Sequence, residues 1–385
     1  MRSPWIYAGV AGLLGATFLP HSAAQTPGDK EIWEKSKRSD TPLFRFVEHG
    51  RAGYINAQGQ VVIPAQIRVL GDDNRDDFHM GIAAPGFGRS YYIDEHGRPL
   101  EPLANAATRI GPASEGLIRT YRIVDGARKE GFVDLRGQPV IPEQFDHVED
   151  FSDGLAAVRV GKLWGYIDKT GAFAVTPQFL DAKPFSEGRA RVIGEGPCSR
   201  LAVGGCLVSV EKLGVPAEAG QPPAKLPGCR FTFVDKQGSP LWAMSYGAAG
   251  DFSEGLAEVS EGGKSGFIDK SGALRIPLRY ENAWPFSDGL ARFQQGRNWG
   301  YLDKTGREVF PAQFEYADDF SEGAAVVGRL YGPLHYIDQQ GRKLFGAEYT
   351  KASSFRLGLA HVCQGLNCAY IDRSGQPVFQ YQSGR

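Results

Sequence analysis

The chain has 385 residues, of which 42% are hydrophobic and 23% charged, and its formal net charge is −1 at pH 7. This composition excludes an intrinsically disordered chain, and the near-neutral charge gives no reason to expect nucleic acid or an acidic membrane as a partner. Glycine (50) and proline (24) together make up close to a fifth of the residues. Because this content favours tight turns and short strands over long helices, we expect an all-β protein.

The N-terminus has the features of a secretory signal peptide. An apolar stretch from Ile6 to Leu19 follows a positively charged start and is short for a bilayer span. Small residues at Ser22 and Ala24 predict cleavage after Ala24, so residues 1–24 would be removed; an uncleaved anchor is the alternative. We therefore expect an exported protein, periplasmic or extracellular, in which disulfides are permitted. Residues 25–42 are predicted to form a linker.

One pattern recurs nine times between residues 43 and 380: an aromatic residue, an aliphatic residue, an acid or amide and, three positions later, a glycine. The aromatic residues are Tyr54, Tyr92, Phe132, Tyr166, Phe233, Phe267, Tyr301, Tyr336 and Tyr370. The glycines are Gly59, Gly97, Gly137, Gly171, Gly238, Gly272, Gly306, Gly341 and Gly375, with spacings of 38, 40, 34, 67, 34, 34, 35 and 34 residues. A period near 34 residues is typical of solenoids, propellers and other repeat arrays.

Each repeat predicts a small antiparallel unit of three strands. The alternating segment Gly154–Val158 indicates a first strand with one buried face, and Tyr166 belongs to the second strand. Asp168 with Gly171, like Asp303 with Gly306 in a later copy, is predicted to close the next turn, because the carboxylate accepts from nearby backbone and glycine tolerates positive φ. A third short strand is expected to end at a proline, and a Phe-Ser-acid-Gly segment then leads to the next unit. Such a unit cannot bury a core alone, so neighbouring units must stack.

The composite pattern Gly-Leu-Ala-x-Val, Trp-Gly-Tyr-Ile-Asp-Lys-Thr-Gly and Phe-Ser-Glu-Gly resembles the WG (or KWG) repeat proteins of bacteria over residues 43–380. The Trp-Gly pair itself occurs at Trp164-Gly165 and Trp299-Gly300. The resemblance implies an all-β repeat array and no established activity. We expect nine units of about 34 residues in an open solenoid or superhelix, because so short a unit leaves little room for four strands. A closed propeller-like ring is the alternative, and residues 381–385 are predicted to be a tail.

Two cysteines near the C-terminus predict a disulfide. Cys363 and Cys368 flank a four-residue turn, so they would face each other on paired strands at a separation that suits a cross-hairpin bond. The competing interpretation is a metal site made of His361, Cys363 and Cys368, which has no fourth ligand.

The other three cysteines lie in one irregular repeat. Its glycine spacing of 67 indicates an insertion at about residues 195–228, in the turn that other units close in four residues. A Cys198–Cys229 bond would clip the base of this insertion, whereas a Cys198–Cys206 bond would close a smaller loop. A loop of this length is usually functional or disordered.

No catalytic or cofactor motif stands out from the repeats. Gly263-Lys264-Ser265 resembles the end of a phosphate-binding loop but lacks its earlier glycine, and the histidines have no metal-binding spacing. We therefore expect no cofactor and no metal.

Three tryptophans are the candidates for a binding surface, with packing as the alternative: Trp164, Trp284 and Trp299. The expected function is a non-catalytic binding or scaffold protein of the envelope, with a protein or glycan partner. The alternative is a glycan-active enzyme that uses turn carboxylates such as Glu254 and Asp288.

Overall fold

The computed structural model describes residues 43–68, 78, 80–83, 92–100, 107–194, 200–203, 206–209, 231–241 and 246–383. The predicted signal peptide, the predicted linker and the Cys198–Cys229 pairing lie outside these residues. Every described residue belongs to one compact body, Asp40–Arg385. All regular structure in the described ranges is β-strand, which confirms the predicted all-β class.

The described strands form ten small antiparallel sheets, and nine of them correspond to the repeats, which we number units 1 to 9 in chain order. Unit 1 contains β1 (Phe44–Glu48), β2 (Arg51–Ile55) and β3 (Val61–Arg68), and unit 2 contains β4 (Ile82–Ala83) and β5 (Ile93–Asp94). Unit 3 contains β6 (Thr108–Ser114), β7 (Leu117–Val124), β8 (Ala127–Asp134) and β9 (Pro139–Phe145). Unit 4 contains β10 (His147–Val148), β11 (Ala156–Val160), β12 (Leu163–Ile167) and β13 (Phe173–Phe179). Unit 5 contains β14 (Asp181–Ser186), β15 (Arg189–Ile193) and β18 (Phe231–Val234). A separate hairpin, β16 (Arg200–Val203) and β17 (Cys206–Ser209), lies within the predicted insertion.

The last four units each have four strands. Unit 6 contains β19 (Ala248–Ser253), β20 (Leu256–Glu261), β21 (Lys264–Asp269) and β22 (Leu274–Tyr280). Unit 7 contains β23 (Asn282–Ser287), β24 (Leu290–Gln295), β25 (Asn298–Asp303) and β26 (Glu308–Phe314). Unit 8 contains β27 (Tyr316–Ala317), β28 (Ala324–Gly328), β29 (Leu334–Asp338) and β30 (Lys343–Tyr349). Unit 9 contains β31 (Lys351–Ala352), β32 (Leu359–Gln364), β33 (Asn367–Asp372) and β34 (Pro377–Gln382). The final strand thus continues two residues past the predicted end of the array.

The predicted count of three strands per unit is wrong for units 3, 4 and 6 to 9, which have four. The additional strand is the segment that leads to each Phe-Ser-acid-Gly motif, as in β23, which pairs with β24. Four strands fit into about 34 residues because the turns are short: β24 and β25 are joined by two residues. The last strand of a unit also continues past its proline, as β22 does at Pro277, because this strand lies at the sheet edge and proline is tolerated there.

The Asp-x-x-Gly segments form tight turns between the third and fourth strands. The Asp303 carboxylate accepts hydrogen bonds from the backbone N–H groups of Thr305 at 3.0 Å and Arg307 at 3.1 Å. The Gly306 N–H donates to the Asp303 carbonyl at 2.8 Å, and Gly306 has a φ of 83°. Asp168 and Gly171 form the same arrangement in unit 4. The turn therefore rests on an aspartate that accepts backbone bonds and on a residue in the left-handed region.

We expect Gly306→Val to destabilise the protein by at least about 2 kcal/mol more than Thr305→Val, because a β-branched residue is strained at positive φ. A Cβ atom on Gly306 would also lie 3.2 Å from Ile276 Cγ2, whereas Thr305 is exposed. Thermal unfolding of both variants measures the difference. Equal melting temperatures would contradict the role assigned to this glycine.

The core lies between successive sheets. In units 3 to 8 the repeated aromatic residue packs on the phenylalanine at the start of the next unit, which in five of the six cases begins a Phe-Ser-acid-Gly segment and in the sixth is Phe355. The ring centroids are 4.8 Å apart for Phe132–Phe151, 4.7 Å for Tyr166–Phe185, 5.1 Å for Phe233–Phe252, 4.9 Å for Phe267–Phe286, 4.9 Å for Tyr301–Phe320 and 5.2 Å for Tyr336–Phe355. Units 3 to 8 therefore complete their cores with an aromatic side chain of the next unit, and the predicted stacking of units is observed.

The serine of each Phe-Ser-acid-Gly segment also joins consecutive units. Its hydroxyl donates to the phenylalanine carbonyl of the following segment. The distances are 2.6 Å for Ser152–Phe185, 2.6 Å for Ser186–Phe252, 2.7 Å for Ser253–Phe286, 2.6 Å for Ser287–Phe320 and 2.6 Å for Ser321–Phe355. The segment predicted to be a simple connection is thus an inter-unit contact.

The first and last units are in direct contact. Phe46 of unit 1 packs on Phe379 and Tyr381 of unit 9, with ring centroids 4.8 and 5.6 Å apart. The Tyr370 hydroxyl donates to the Arg45 carbonyl at 2.5 Å. Each sheet among the described residues is open. The array as a whole nevertheless returns to its start, because unit 9 packs on unit 1. This contact corrects the expectation of an open array and corresponds to the ring alternative, because aromatic side chains of unit 1 need a partner surface that unit 9 provides.

Candidate binding site

Trp284 and Trp299 lie together on unit 7, where they contact each other with ring centroids 4.5 Å apart. Arg292 lies beside both rings, with its guanidinium carbon 5.5 Å from the Trp284 centroid and 5.4 Å from the Trp299 centroid. Both tryptophans are half-buried. The structure therefore brings the two predicted tryptophans together. They pack against Arg292, which has a structural role of its own.

Arg292 forms a clamp to unit 8. Its Nε lies 2.6 Å from Asp319 Oδ1, and its Nη1 donates to the Ala317 carbonyl at 2.6 Å. Arg119 with Asp150 and Arg191 with Asp251 repeat the arrangement at 2.7 and 3.2 Å. These arginines belong to units 3, 5 and 7, whereas Ala157, Glu258 and Val326 occupy the position in units 4, 6 and 8.

The clamps reveal a period of two units that the single-unit alignment missed. The residue before each motif phenylalanine alternates in step with the arginine: it is Asp150, Asp251 and Asp319 opposite an arginine, and Pro184, Pro285 and Ser354 elsewhere. Aligning the repeats in pairs would have exposed this covariation. The Trp284–Trp299 pair packs on one of these clamps.

Trp164 is buried, with only 5% of its surface exposed, so it is not part of an open surface. Its ring packs edge-on against His147 at 5.5 Å, and the Arg159 guanidinium carbon lies 5.8 Å from its centroid. Trp164 therefore supports a cluster of charged residues.

These charged residues line a cavity of about 710 Å³ between units 3 and 4. We call it the charged cleft and define it by Arg128, Glu130, Asp146, His147 and Arg159, together with Gly161. It contains three cationic and two anionic side chains when His147 is protonated, an excess of one positive charge. Sequence reasoning did not identify these residues. The available signal was Glu130, which stands at the position where Trp164 and Trp299 stand in their units.

Glu130 is the buried centre of the charged cleft. It is only 2% exposed, and its carboxylate lies 2.8 Å from Arg128 Nε and 3.0 Å from His147 Nδ1. The Val148 N–H donates to it at 2.9 Å. Burial opposes the charge of Glu130, but the hydrogen bonds from His147 and Val148 hold its pKa below the ordinary value.

The other acid of the cleft is also paired. Asp146 lies 2.7 Å from Lys129 Nζ and accepts from the Gly161 N–H at 2.6 Å. The hydrogen bond from Lys129 is the main reason why the pKa of Asp146 is lowered. The charge of Arg159 also lowers the pKa of Asp146, and its guanidinium lies over the Trp164 ring. The cleft therefore offers a cationic donor to a ligand more readily than it offers a carboxylate.

His147 gives the charged cleft a pH dependence. Hydrogen bonding to Glu130 and then to Glu149 raises the pKa of His147 to about 9 from the usual 6.5. Because its pKa is higher in the folded state, protonated His147 stabilises the fold. This contribution is complete below the unfolded-state pKa and is lost as the pH rises through the folded-state pKa. We therefore expect the free energy of unfolding to fall between pH 6.5 and about 9.

Urea unfolding across this pH range tests the expectation. His147→Gln should flatten the pH dependence. His335→Gln is the control and should retain it, because burial lowers the pKa of His335 and places its titration below this range. An unchanged slope in His147→Gln would show that other groups cause the dependence.

The turn carboxylates that the enzyme hypothesis invoked are engaged in inter-unit bonds. Glu254 accepts from the Gly289 N–H at 3.0 Å and lies 3.0 Å from Lys304 Nζ. Asp288 accepts from the Gly323 N–H at 2.6 Å. Both acids have positive φ, with values of 52° and 50°. Their repetition at each unit boundary thus has a structural cause.

Cys363 and Cys368 occupy directly opposed positions on β32 and β33, and their Sγ atoms are 2.06 Å apart, the distance of a disulfide. Both are buried, at 3% and 4% exposure. His361 Nε2 lies 3.7 Å from Cys363 Sγ and 2.7 Å from the Tyr381 hydroxyl. The structure therefore brings together all three residues of the competing metal interpretation, with the sulfurs joined to each other.

A model of the WG-containing repeat family matches seven segments of the chain: residues 53–72, 131–164, 164–193, 231–264, 266–299, 299–328 and 336–365. Comparison with curated protein sequences finds no match. In the described residues no helix has the length and apolar character needed to cross a membrane.

Among solved structures, one described as the eukaryotic initiation factor is similar, with 14% identity and a TM-score of 0.57, covering 89% of this chain and 96% of that one. Dipeptidyl peptidase 4 of Porphyromonas gingivalis has 10% identity and a TM-score of 0.46 over 89% of this chain and 59% of that chain. At this level of identity the first similarity concerns the fold alone.

Proposed function

The chain belongs to the WG-containing repeat family, and from that premise we propose that it is a non-catalytic exported protein whose repeat array binds a protein or glycan partner of the cell envelope. We place the binding site in the charged cleft. The observation that carries the proposal is that Arg159 lines the cleft while both carboxylates there, Glu130 and Asp146, are already paired within the protein.

The contrast between repeated and non-repeated residues supports this assignment. The repeated serines and acids hold neighbouring units together, as Glu254 and Asp288 do through the next glycine N–H. Binding therefore has to use positions where the units differ. The cleft is such a place, because Glu130 replaces the family tryptophan and gathers Arg128 and His147 around it.

The chemistry of the cleft favours a partner that carries carboxylates. Glu130 and Asp146 are already paired with Arg128 and Lys129, so we assign an incoming anion to Arg159. Arginine recognises a carboxylate through two parallel hydrogen bonds. Acidic peptide segments and uronic-acid glycans both offer this group.

Arg159→Ala should weaken binding of a carboxylate-bearing probe by about tenfold or more, because a hydrogen bond to a charged group contributes about 1.5–3 kcal/mol. This variant leaves the Arg128–Glu130 pair intact. Fluorescence anisotropy with a labelled Asp-Gly repeat peptide and a labelled oligogalacturonate measures the effect and distinguishes a peptide ligand from a glycan ligand. Binding should also weaken as salt increases.

Arg297→Ala is the matched control, since Arg297 is an exposed arginine in the β24–β25 turn of unit 7. It should bind the probes like the unmodified protein. Equal binding by Arg159→Ala, or no binding of either probe to the unmodified protein, would rule out the cleft as the site.

The proposed export has its own test. Protein expressed with its native N-terminus and recovered from the envelope should begin at Gln25, as determined by intact mass. An N-terminus at Met1 would contradict cleavage, and it would leave the binding result unaffected.

A further inference from the structure

We propose that reduction of the Cys363–Cys368 bond converts this corner of unit 9 into a binding site for a thiophilic metal ion such as Zn²⁺ or Cu⁺, with His361, Cys363 and Cys368 as ligands. The three donor atoms already lie within 4.8 Å of one another. This site is separate from the charged cleft and does not depend on the proposed function.

The distance between His361 and Cys363 suits two ligands of one tetrahedral metal ion. Zinc–sulfur bonds of about 2.3 Å and zinc–nitrogen bonds of about 2.0–2.1 Å place the sulfur and nitrogen of a tetrahedral site about 3.6 Å apart. The observed distance from His361 Nε2 to Cys363 Sγ is 3.7 Å. The two sulfurs have to separate by side-chain rotation once the bond between them is broken, and the Tyr381 hydroxyl has to leave His361 Nε2.

Ligand position is fixed by the strand pairing. His361 and Cys363 are two residues apart on β32 and therefore point to the same face of the sheet, and Cys368 is the direct cross-strand partner of Cys363. The Tyr381 hydroxyl, 2.7 Å from His361 Nε2, orients the ring, and the two rings stack with an interplanar angle of 21°. The metal would take the place of this hydroxyl on Nε2.

A cavity gives a metal and a reductant access to the site. It has a volume of about 650 Å³, and Cys363, Cys368 and Tyr381 line it together with Glu48 and His49 of unit 1. The fourth coordination position would face this cavity. Three protein ligands with an open position are a known arrangement for zinc.

The redox step is an ordinary thiol–disulfide exchange. A dithiol reductant supplies two electrons and two protons, the S–S bond breaks to give two thiols, and the reductant becomes a disulfide. A divalent metal then binds the two sulfurs as thiolates and releases both thiol protons. In the oxidised chain neither sulfur is available as a thiolate ligand.

The test uses the full chain with Cys198, Cys206 and Cys229 replaced by serine, so that only the proposed ligands remain as thiols. After reduction with a phosphine, titration with Co²⁺ alone should give one ion per chain and a sulfur-to-cobalt charge-transfer band, which Zn²⁺ then abolishes. The oxidised chain should show no band. Circular dichroism and a thiol count of two are recorded on the same sample.

His361→Gln in this background should weaken Co²⁺ binding by more than about tenfold, because even the loss of an outer-shell partner of a metal ligand weakens binding by about 10–100-fold. His335→Gln, the matched control in unit 8, should bind like the background. The proposal is overturned if the reduced background binds no Co²⁺, if reduction unfolds it, or if His361→Gln binds as tightly as the background.

Discussion

Gly165→Ala should lower the free energy of unfolding by about 3 kcal/mol, the upper end of what overpacking usually costs. The next strand of the sheet bulges over this residue: Trp164 pairs with Phe179 but Tyr166 pairs with Val175, so Gly165 faces several backbone groups. A Cβ atom there would lie within 3.0 Å of Val175 O, Thr176 C and Pro177 N. Backbone atoms in a paired strand cannot move aside as a flexible side chain would.

Ala369→Gly is the control for this prediction. Ala369 occupies the same position in unit 9, where Cys368, Ala369 and Tyr370 pair in regular register and no bulge covers the residue. The change to glycine should therefore cost only about 0.5–1 kcal/mol through backbone entropy. Urea unfolding of both variants measures the difference. A mild effect of Gly165→Ala would mean that the bulge does not explain the glycine of the Trp-Gly pair.

Phe46→Ala should destabilise the protein by about 3–5 kcal/mol, the range for removal of a buried aromatic side chain. Phe46 is only 3% exposed, and its partners Phe379 and Tyr381 belong to the last unit. At a free end of an open array the same residue would lack these partners, and its removal would have little effect. The variant therefore measures how much the contact between units 1 and 9 contributes to stability.

Tyr331→Ala is the matched aromatic truncation, because Tyr331 is 98% exposed; it should change stability by less than about 0.5 kcal/mol. Thermal and urea unfolding of both variants, with small-angle X-ray scattering of each folded form, completes the test. Similar stabilities for Phe46→Ala and the unmodified chain would contradict the closing contact.

The features that the sequence revealed are local ones. The Asp303 and Gly306 turn depends on hydrogen bonds between residues two to four positions apart, so composition and spacing suffice to predict it. The pairing of Cys363 with Cys368 likewise follows from one short hairpin. The repeated aromatic residues predicted the stacking of units because their spacing is regular.

The extra strand of each unit was missed because its alternation is interrupted. In unit 7, Ala283 pairs with Phe293 and Phe286 pairs with Ala291, so Trp284 and Pro285 form a bulge that breaks the period of two. Periodicity therefore indicated a connection where a strand exists. The neighbouring Arg292–Asp319 clamp was missed for a related reason, since it repeats every second unit and links two units.

By itself, the sequence determined that this protein is an all-β array of stacked repeats, because turn chemistry and strand alternation act within a few residues. Only the tertiary structure decided that the array returns on itself, since the Tyr370 hydroxyl and the Arg45 carbonyl are 325 residues apart in the chain. It alone also assembled the charged cleft, where Glu130 of unit 3 meets His147 of unit 4. Both features depend on side chains from different units, and no periodicity within one unit encodes how two units face each other.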